Sequence, residues 1–278
     1  MRASHRQISR ATSAALVIFA LAAALVGCAA PRAHGILPLP TDVKVDYQLG
    51  GSYPPPAGVQ IVTRDSTSRP APGLYNICYV NGFQTQSQDR KFWLTKHPTL
   101  VLRGANRQPV FDPGWPDEML LDVSTSAKRA AIAAVQDGTV DRCEAKGFQA
   151  VEFDNLDSYS RSHHLLTLGE DIAMARLFVN RAHADGLAAG QKNTPELGGR
   201  GRNDVQFDFA VAEECYRYDE CAQYTRVYGA RVIDIEYTDD LRGTFAQACT
   251  SKSTPMMTIL RDVNLLTPVS KAYVYEAC

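Results

Sequence analysis

Acidic residues close one apolar run after another along this chain. Val62-Thr63-Arg64-Asp65, Leu120-Leu121-Asp122, Val151-Glu152-Phe153-Asp154-Asn155-Leu156-Asp157, Val211-Ala212-Glu213-Glu214 and Ile233-Asp234-Ile235-Glu236-Tyr237 end on or beside carboxylates, and Gln191-Lys192-Asn193 supplies one cation. Residues two apart on a strand share a face, so Glu152 and Asp154 point together and Phe153 points away. Carboxylates that converge on one mouth raise one another's pKa, which keeps one protonated beside an ionised partner. Glycosidic hydrolysis needs such a pair: an acid for the leaving oxygen and a carboxylate as nucleophile or activator of water. Two other readings remain open. Asp and Asn at strand ends routinely cap the following helix, although Glu152, Glu213 and Glu236 are Glu, a poor cap. Calcium would take the same oxygens, but the alternating ligand spacing of an EF-hand is absent.

Other chemistries find less support. The six His include no His-Glu-x-x-His, and His163-His164 lies in a polar loop. There is no Gly-x-Ser-x-Gly elbow and no Walker loop, and Gly198-Gly199-Arg200-Gly201 lacks the strand-to-helix setting of a dinucleotide site. No cofactor or metal is expected. Trp115, Tyr79, Tyr159, Tyr216, Tyr218 and Tyr237 lie near the proposed strand ends, where each either stacks on a sugar ring or packs.

The elements that must carry these residues alternate between short β-branched runs and longer helical patterns, which argues for a parallel sheet with crossover helices. Eight strands are predicted, at 59–65, 74–81, 119–123, 150–154, 187–193, 207–213, 231–237 and 255–261, with helices at 125–146, 168–185, 218–228 and 242–249. Eight strands close a (β/α)8 TIM barrel, whose active site lies at the carboxyl ends of the strands. The first crossover, Ser66 to Gly73 with two Pro, is too short for a standard helix, so that helix is reduced or missing. A seven-strand barrel or an open doubly wound sheet is the alternative.

Ahead of the strands, Arg2, His5, Arg6 and Arg10 precede an uncharged apolar run from Ala14 to Gly27, a signal-peptide profile. The run ends Leu25-Val26-Gly27-Cys28, which resembles a bacterial lipobox with Cys28 as the lipidated residue. Residues 1–27 are thus expected to be a signal peptide, 28–58 a Pro-rich tether and lead-in loop, and 59–278 one barrel domain. Acyl chains on Cys28 would hold the folded part to a bacterial membrane from an extracytoplasmic compartment. The formal charge of −1 falls to about −4 once the basic leader is set aside. Such a balance does not suit neutralising nucleic-acid phosphates, and a monomer is expected. Six Cys remain after Cys28, an even number suited to disulfides in an exported chain. Of fifteen pairings, Cys215 with Cys221 is favoured by closeness in sequence. Cys249 with Cys278 would tie down the chain end, which leaves Cys78 with Cys143.

At Glu152-Phe153-Asp154-Asn155-Leu156-Asp157-Ser158-Tyr159 the chain resembles glycoside hydrolase family 114, the endo-α-1,4-polygalactosaminidase-like barrels, whose pattern there is Glu-x-Asp-Asn-x-Asp-x-Tyr, and the resemblance covers about residues 59 to 262. Ile77-Cys78-Tyr79, Trp115-Pro116-Asp117-Glu118, Ala182-His183-Ala184-Asp185-Gly186-Leu187, Lys192-Asn193, Phe207 to Cys221 and Glu236-Tyr237 are similar to further family segments, in order. The resemblance implies a TIM barrel that hydrolyses an α-1,4-linked galactosamine polysaccharide. It implies Asp154 and Glu213 as the catalytic carboxylates, with the two roles unassigned. Asp65, Tyr79, Glu152, Asn155, Asp157, Tyr159, Lys192, Asn193, Glu236 and Tyr237 would bind substrate. Ala212 stands where the family has Asn, and Gln84-Thr85-Gln86 where its second strand ends in Glu. A non-catalytic carbohydrate-binding lipoprotein on the same barrel is the alternative.

Overall fold

The computed structural model describes residues 35–278. The proposed signal peptide and Cys28 lie outside the described residues. Eight parallel strands follow one another around a nearly closed barrel: β1 (Lys44–Gln48), β2 (Val59–Asp65), β3 (Tyr75–Asn81), β4 (Ala150–Asp154), β5 (Ala188–Lys192), β6 (Phe209–Glu213), β7 (Val232–Tyr237) and β8 (Met257–Arg261). A short β9 (Tyr275–Ala277) pairs antiparallel with β8. This is a (β/α)8 TIM barrel.

Two strand assignments differ from the sequence reading. β1 falls inside the segment read as tether and lead-in loop. The 119–123 run is not a barrel strand: it makes isolated antiparallel bridges, Gln84 to Leu120, Val101 to Leu121 and Phe111 to Met119, in a long excursion after β3. The other predicted strands match within two residues, and 59–65 and 150–154 coincide with β2 and β4.

Helices α1 (Arg90–Lys96), α2 (Ser126–Lys146), α3 (Ser158–Arg161), α4 (Leu168–Ala184), α5 (Cys221–Tyr228) and α6 (Phe245–Thr250) surround the sheet. Their ends follow local chemistry. The Thr125 hydroxyl accepts from Lys128 N to start α2, and left-handed Gly147 stops it. Thr167 and Glu170 form a capping box on α4. No α-helix joins β2 to β3, as the two prolines in that short connection predict, and none joins β1 to β2 or β5 to β6.

Side chains alternate between two cores. Val45, Ile61, Ile77, Val211, Ile235 and Ile259 fill the barrel interior, while Val80, Val151, Phe153 and Ala210 pack outward against the helices. Gly190 is required on β5, because a Cβ there would meet the Phe209 ring at 2.5 Å. β1 and β8 share no ladder. The gap is bridged by the fully buried Arg261 guanidinium, which donates to Asp46 Oδ1 (3.2 Å) and the Tyr47 carbonyl, and by Tyr275, whose hydroxyl donates to Val45 O (2.9 Å). Disulfides join Cys78 to Cys143, Cys215 to Cys221 and Cys249 to Cys278, the three pairings expected. They fasten α2 to the barrel wall, close the loop after β6 and secure the chain end. Among the described residues no helix is long and apolar enough to cross a membrane.

Candidate active site

Three successive strands end on charged, inward-pointing residues: Asp154 on β4, Lys192 on β5 and Glu213 on β6. The next residue in each case, Asn155, Asn193 or Glu214, has a left-handed backbone (φ 65°, 46° and 60°). Asn tolerates this conformation. Glu does not do so readily, and a strained residue beside the reacting groups is typical of functional sites. The sharp exits leave the three charged groups clustered at the carboxyl mouth of the barrel.

Lys192 organises them. Its side chain is 2% exposed, and its ammonium lies 3.4 Å from Asp154 Oδ2, 3.3 Å from Glu213 Oε2 and 3.2 Å from Glu152 Oε1. Asp154 also accepts from the Tyr79 hydroxyl (2.6 Å) and from Asn155 N (2.7 Å). Glu213 accepts from the Tyr237 hydroxyl (2.5 Å) and from Asn193 Nδ2 (3.0 Å). Burial acts to raise Asp154, but Lys192, the Tyr79 hydroxyl and Asn155 N outweigh it and hold the carboxyl below its ordinary range. Burial likewise acts to neutralise Lys192, and the surrounding Asp154, Glu213 and Glu152 overcome it, so the ammonium stays charged. Tyr79 and Tyr237 are pushed well up, first by burial, and remain hydrogen-bond donors.

Above this cluster opens a cleft of about 470 Å³. Asp154, Lys192, Glu213, Tyr79, Asn155, Asp157, Asn193 and Tyr237 line it. A second lobe of about 290 Å³ shares Asp157, Asn193 and Glu213 and adds Glu196, Glu214, Glu220 and Tyr218.

Four residues expected to bind substrate do not face the cleft. Glu152 is fully buried beneath it. Asp65, though at the end of β2, turns its carboxylate onto Thr67 N (2.8 Å), Thr67 Oγ1 (2.6 Å) and Gln86 Nε2 (3.1 Å), and so braces a turn. Tyr159 reaches the second lobe only through Glu196, to which its hydroxyl donates (2.5 Å). Glu236 points out of the barrel and accepts from Tyr216 N (2.9 Å). Asp122, at the end of the misplaced strand, accepts from Ser124 N and pairs with Lys128 at the start of α2.

Sequence reasoning also misses contributors. Tyr47 stands under the cleft on a strand that the sequence analysis places in a loop, although Val45-Asp46-Tyr47-Gln48-Leu49 alternates with period two. Glu118 lines the cleft, its Oε2 held by Gln84 Nε2 (2.8 Å) and Asn81 Nδ2 (3.0 Å). Arg161 ties the excursion to the β4 loop through Asp112 (2.6 Å), Asp157 (2.5 Å) and Asn155 Oδ1 (3.1 Å). The contacts of Glu118 with Asn81 and Gln84 and of Arg161 with Asp112 are long-range and leave no spacing signal, whereas Asp157 and Arg161 stand four apart on the sequence. Among the described residues one group has metal-ligand geometry, Cys215, Cys221 and Asp234, but both of its sulfurs are spent in a disulfide.

A TIM barrel with two carboxylates converging on its carboxyl mouth is the architecture of a glycoside hydrolase. The family model for glycoside-hydrolase family GH114 matches residues 28–278, and the chain belongs to that family. Ega3 of Aspergillus fumigatus, crystallised with galactosamine, is similar in structure: TM-score 0.68, 21% identity, 88% of this chain and 98% of that one covered. The glycoside hydrolase domain of PelA from Pseudomonas aeruginosa is similar at TM-score 0.58 and 14% identity, over 84% and 99% of the two chains. Both likenesses are of fold. No curated protein sequence matches.

Proposed function

We propose that the protein cleaves an α-1,4-linked galactosamine polysaccharide internally and with retention of configuration, Asp154 acting as nucleophile and Glu213 as acid/base. The observation that carries this is the single ammonium of Lys192 shared by the two carboxylates. Both touch the same nitrogen, so their nearest oxygens lie within two such contacts of each other. That suits the retaining separation of about 5–5.5 Å better than most of the inverting range of about 6.5–9.5 Å. Asp154 takes the nucleophile's part because Lys192, Tyr79 and Asn155 N keep it ionised. Glu213, more exposed at the junction of the two lobes, is placed to protonate the leaving oxygen.

In the first step Asp154 attacks the anomeric carbon while the Glu213 proton passes to the glycosidic oxygen, leaving a glycosyl-aspartate. In the second, Glu213 takes a proton from water, which attacks the same carbon and releases Asp154. The two-lobed cleft has room for sugars on either side of the scissile bond. Its surplus of carboxylates, Glu118, Asp157, Glu196, Glu214 and Glu220, would attract a polymer bearing free ammonium groups. The galactosamine held by Ega3 supports the same choice.

Asp154→Asn and Glu213→Gln should each lower release of reducing ends by about 10³-fold or more while the circular dichroism stays unchanged. The anomer first formed, read by proton NMR, should match that of the substrate. Near-normal rates in both variants remove the assignment, and an inverted product removes the nucleophile. We further propose that Cys28 carries a lipid anchor facing an extracytoplasmic compartment. Mass spectrometry of Cys28→Ser, with loss of the protein from the membrane fraction, tests this.

A further inference from the structure

Directly under the catalytic pair lies a carboxyl group that the reaction scheme does not use. Glu152 sits on β4 one pleat below Asp154 and is 0% exposed. Its Oε1 accepts from the Tyr47 hydroxyl (2.6 Å) and faces Lys192 Nζ (3.2 Å), and its Oε2 has no partner among the described residues. An ammonium has three hydrogens. Around Lys192 stand four oxygens: Tyr47 OH at 3.1 Å, then Glu152, Glu213 and Asp154. One acceptor must always go without a full hydrogen bond, and the protonation of Glu152 decides how strongly it competes.

We propose that Glu152 is a positioning residue that competes with Asp154 and Glu213 for Lys192 and thereby sets the pH up to which the catalytic pair keeps its proton. The proposal rests on the two-carboxylate reading above. An ionised carboxylate with one oxygen unpaired in a dry site is costly. Burial first, and then the Asp154 and Glu213 charges, push Glu152 up to about 7 against the pull of Lys192 and Tyr47. Below that pH Glu152 is neutral, and Lys192 gives its hydrogens to Asp154 and Glu213. Above it, a further anion under the cleft draws one hydrogen away and adds negative charge. Both changes oppose release of the catalytic proton. The other facing groups hold their states over this range: Tyr47 on β1, Tyr79 on β3 and Tyr237 on β7 stay neutral, and Lys192 on β5 stays charged.

Glu152→Gln keeps the shape and removes the titration. Its kcat/KM profile on deacetylated galactosamine polymer should lose the basic limb earlier, by roughly one pH unit, the effect of a neighbouring charge within about 4–6 Å. KM should change less than kcat. Infrared titration without substrate, read as wild type minus Glu152→Gln, should show a protonated-carboxyl band that is lost as pH rises through about 7; Asp171 and Glu214, which burial also pushes up to about 7, are common to both proteins and cancel in the difference. Coincident basic limbs, or no carboxyl band in the difference between the two proteins, overturn the proposal. If the wild type turns over no polymer, the two-carboxylate reading fails while the infrared arm still decides the state of Glu152. Should Glu152→Gln fail to fold, Tyr47→Phe serves instead: loss of the donor to Glu152 should move the band's titration to higher pH, and an unmoved band overturns the proposal.

Discussion

Two acid pairs of the same pattern stand in the barrel wall, Glu152-Phe153-Asp154 on β4 and Asp234-Ile235-Glu236 on β7, and they face opposite ways. On β4 the strand's last residue is the second acid, so both acids point inward and share Lys192. On β7 the last residue is Tyr237, which takes the inward position, and both acids point outward. There Asp234 accepts from Cys215 N (3.1 Å) and Glu236 from Tyr216 N (2.9 Å), which pins the loop after β6. The inner pair has a buried cation and an ionised Asp154. For the outer pair, burial and then the adjoining Glu236 push Asp234 far up, so the two carboxyls hold a proton between them. The inner pair faces a buried cation and the outer pair backbone N–H groups and a hydroxyl, and a one-residue difference in phase separates them.

Lys192→Met strikes the comparison hardest, because it makes the inner pair resemble the outer one. Activity should fall by about 10²–10³-fold. Asp154 lies below its ordinary range and Lys192 above its own, so their mutual stabilisation exists between the unfolded carboxylate and lysine pKa values. The variant should be less stable than wild type by about 3–5 kcal/mol near neutrality, with the gap closing in acid as Asp154 takes up a proton. Denaturant melts at pH 3 and pH 7 check this, and a gap independent of pH would mean that Lys192 only packs.

Tyr79→Phe is milder. It removes one charge-assisted hydrogen bond from Asp154, with an expected loss in kcat of about 10-fold. The Tyr79 hydroxyl helps to hold Asp154 below its ordinary range. Without it the acidic limb of kcat/KM should move to higher pH, and a stationary limb would contradict Asp154 as the ionised nucleophile.

Much of the molecule is legible in the sequence where parity and apolarity agree. β4 to β8 are short apolar runs closed by polar residues, and Asp154, Lys192 and Glu213 follow as strand-end groups. β1 escapes notice because its outward residues, Asp46 and Gln48, join Arg64 and Tyr53 in a buried polar knot, so the strand lacks an apolar run. Met119 to Leu121 and Val123 deceive for the opposite reason: they are wholly buried, but in the excursion rather than in the wall. Glu236 is expected in the cleft because the two acid pairs look alike until the strand end is known to within one residue.

Asp234→Asn leaves the catalytic groups untouched and has the smallest expected effect on rate. The Asn carbonyl can still accept from Cys215 N, and its amide can donate to Glu236, replacing the shared proton with a permanent one. An acid whose folded pKa is raised contributes stability below its unfolded pKa and loses it as pH rises through the folded value. The wild type carries that loss and Asp234→Asn does not. Thermal melts should therefore nearly coincide at pH 4. Above it the variant should gain on the wild type by about 1.4 kcal/mol per pH unit until Asp234 ionises in the folded protein. Polymer hydrolysis at neutral pH should change little. A large loss of activity with unchanged melts would instead place Asp234 in contact with the reaction and erase the distinction between the two pairs.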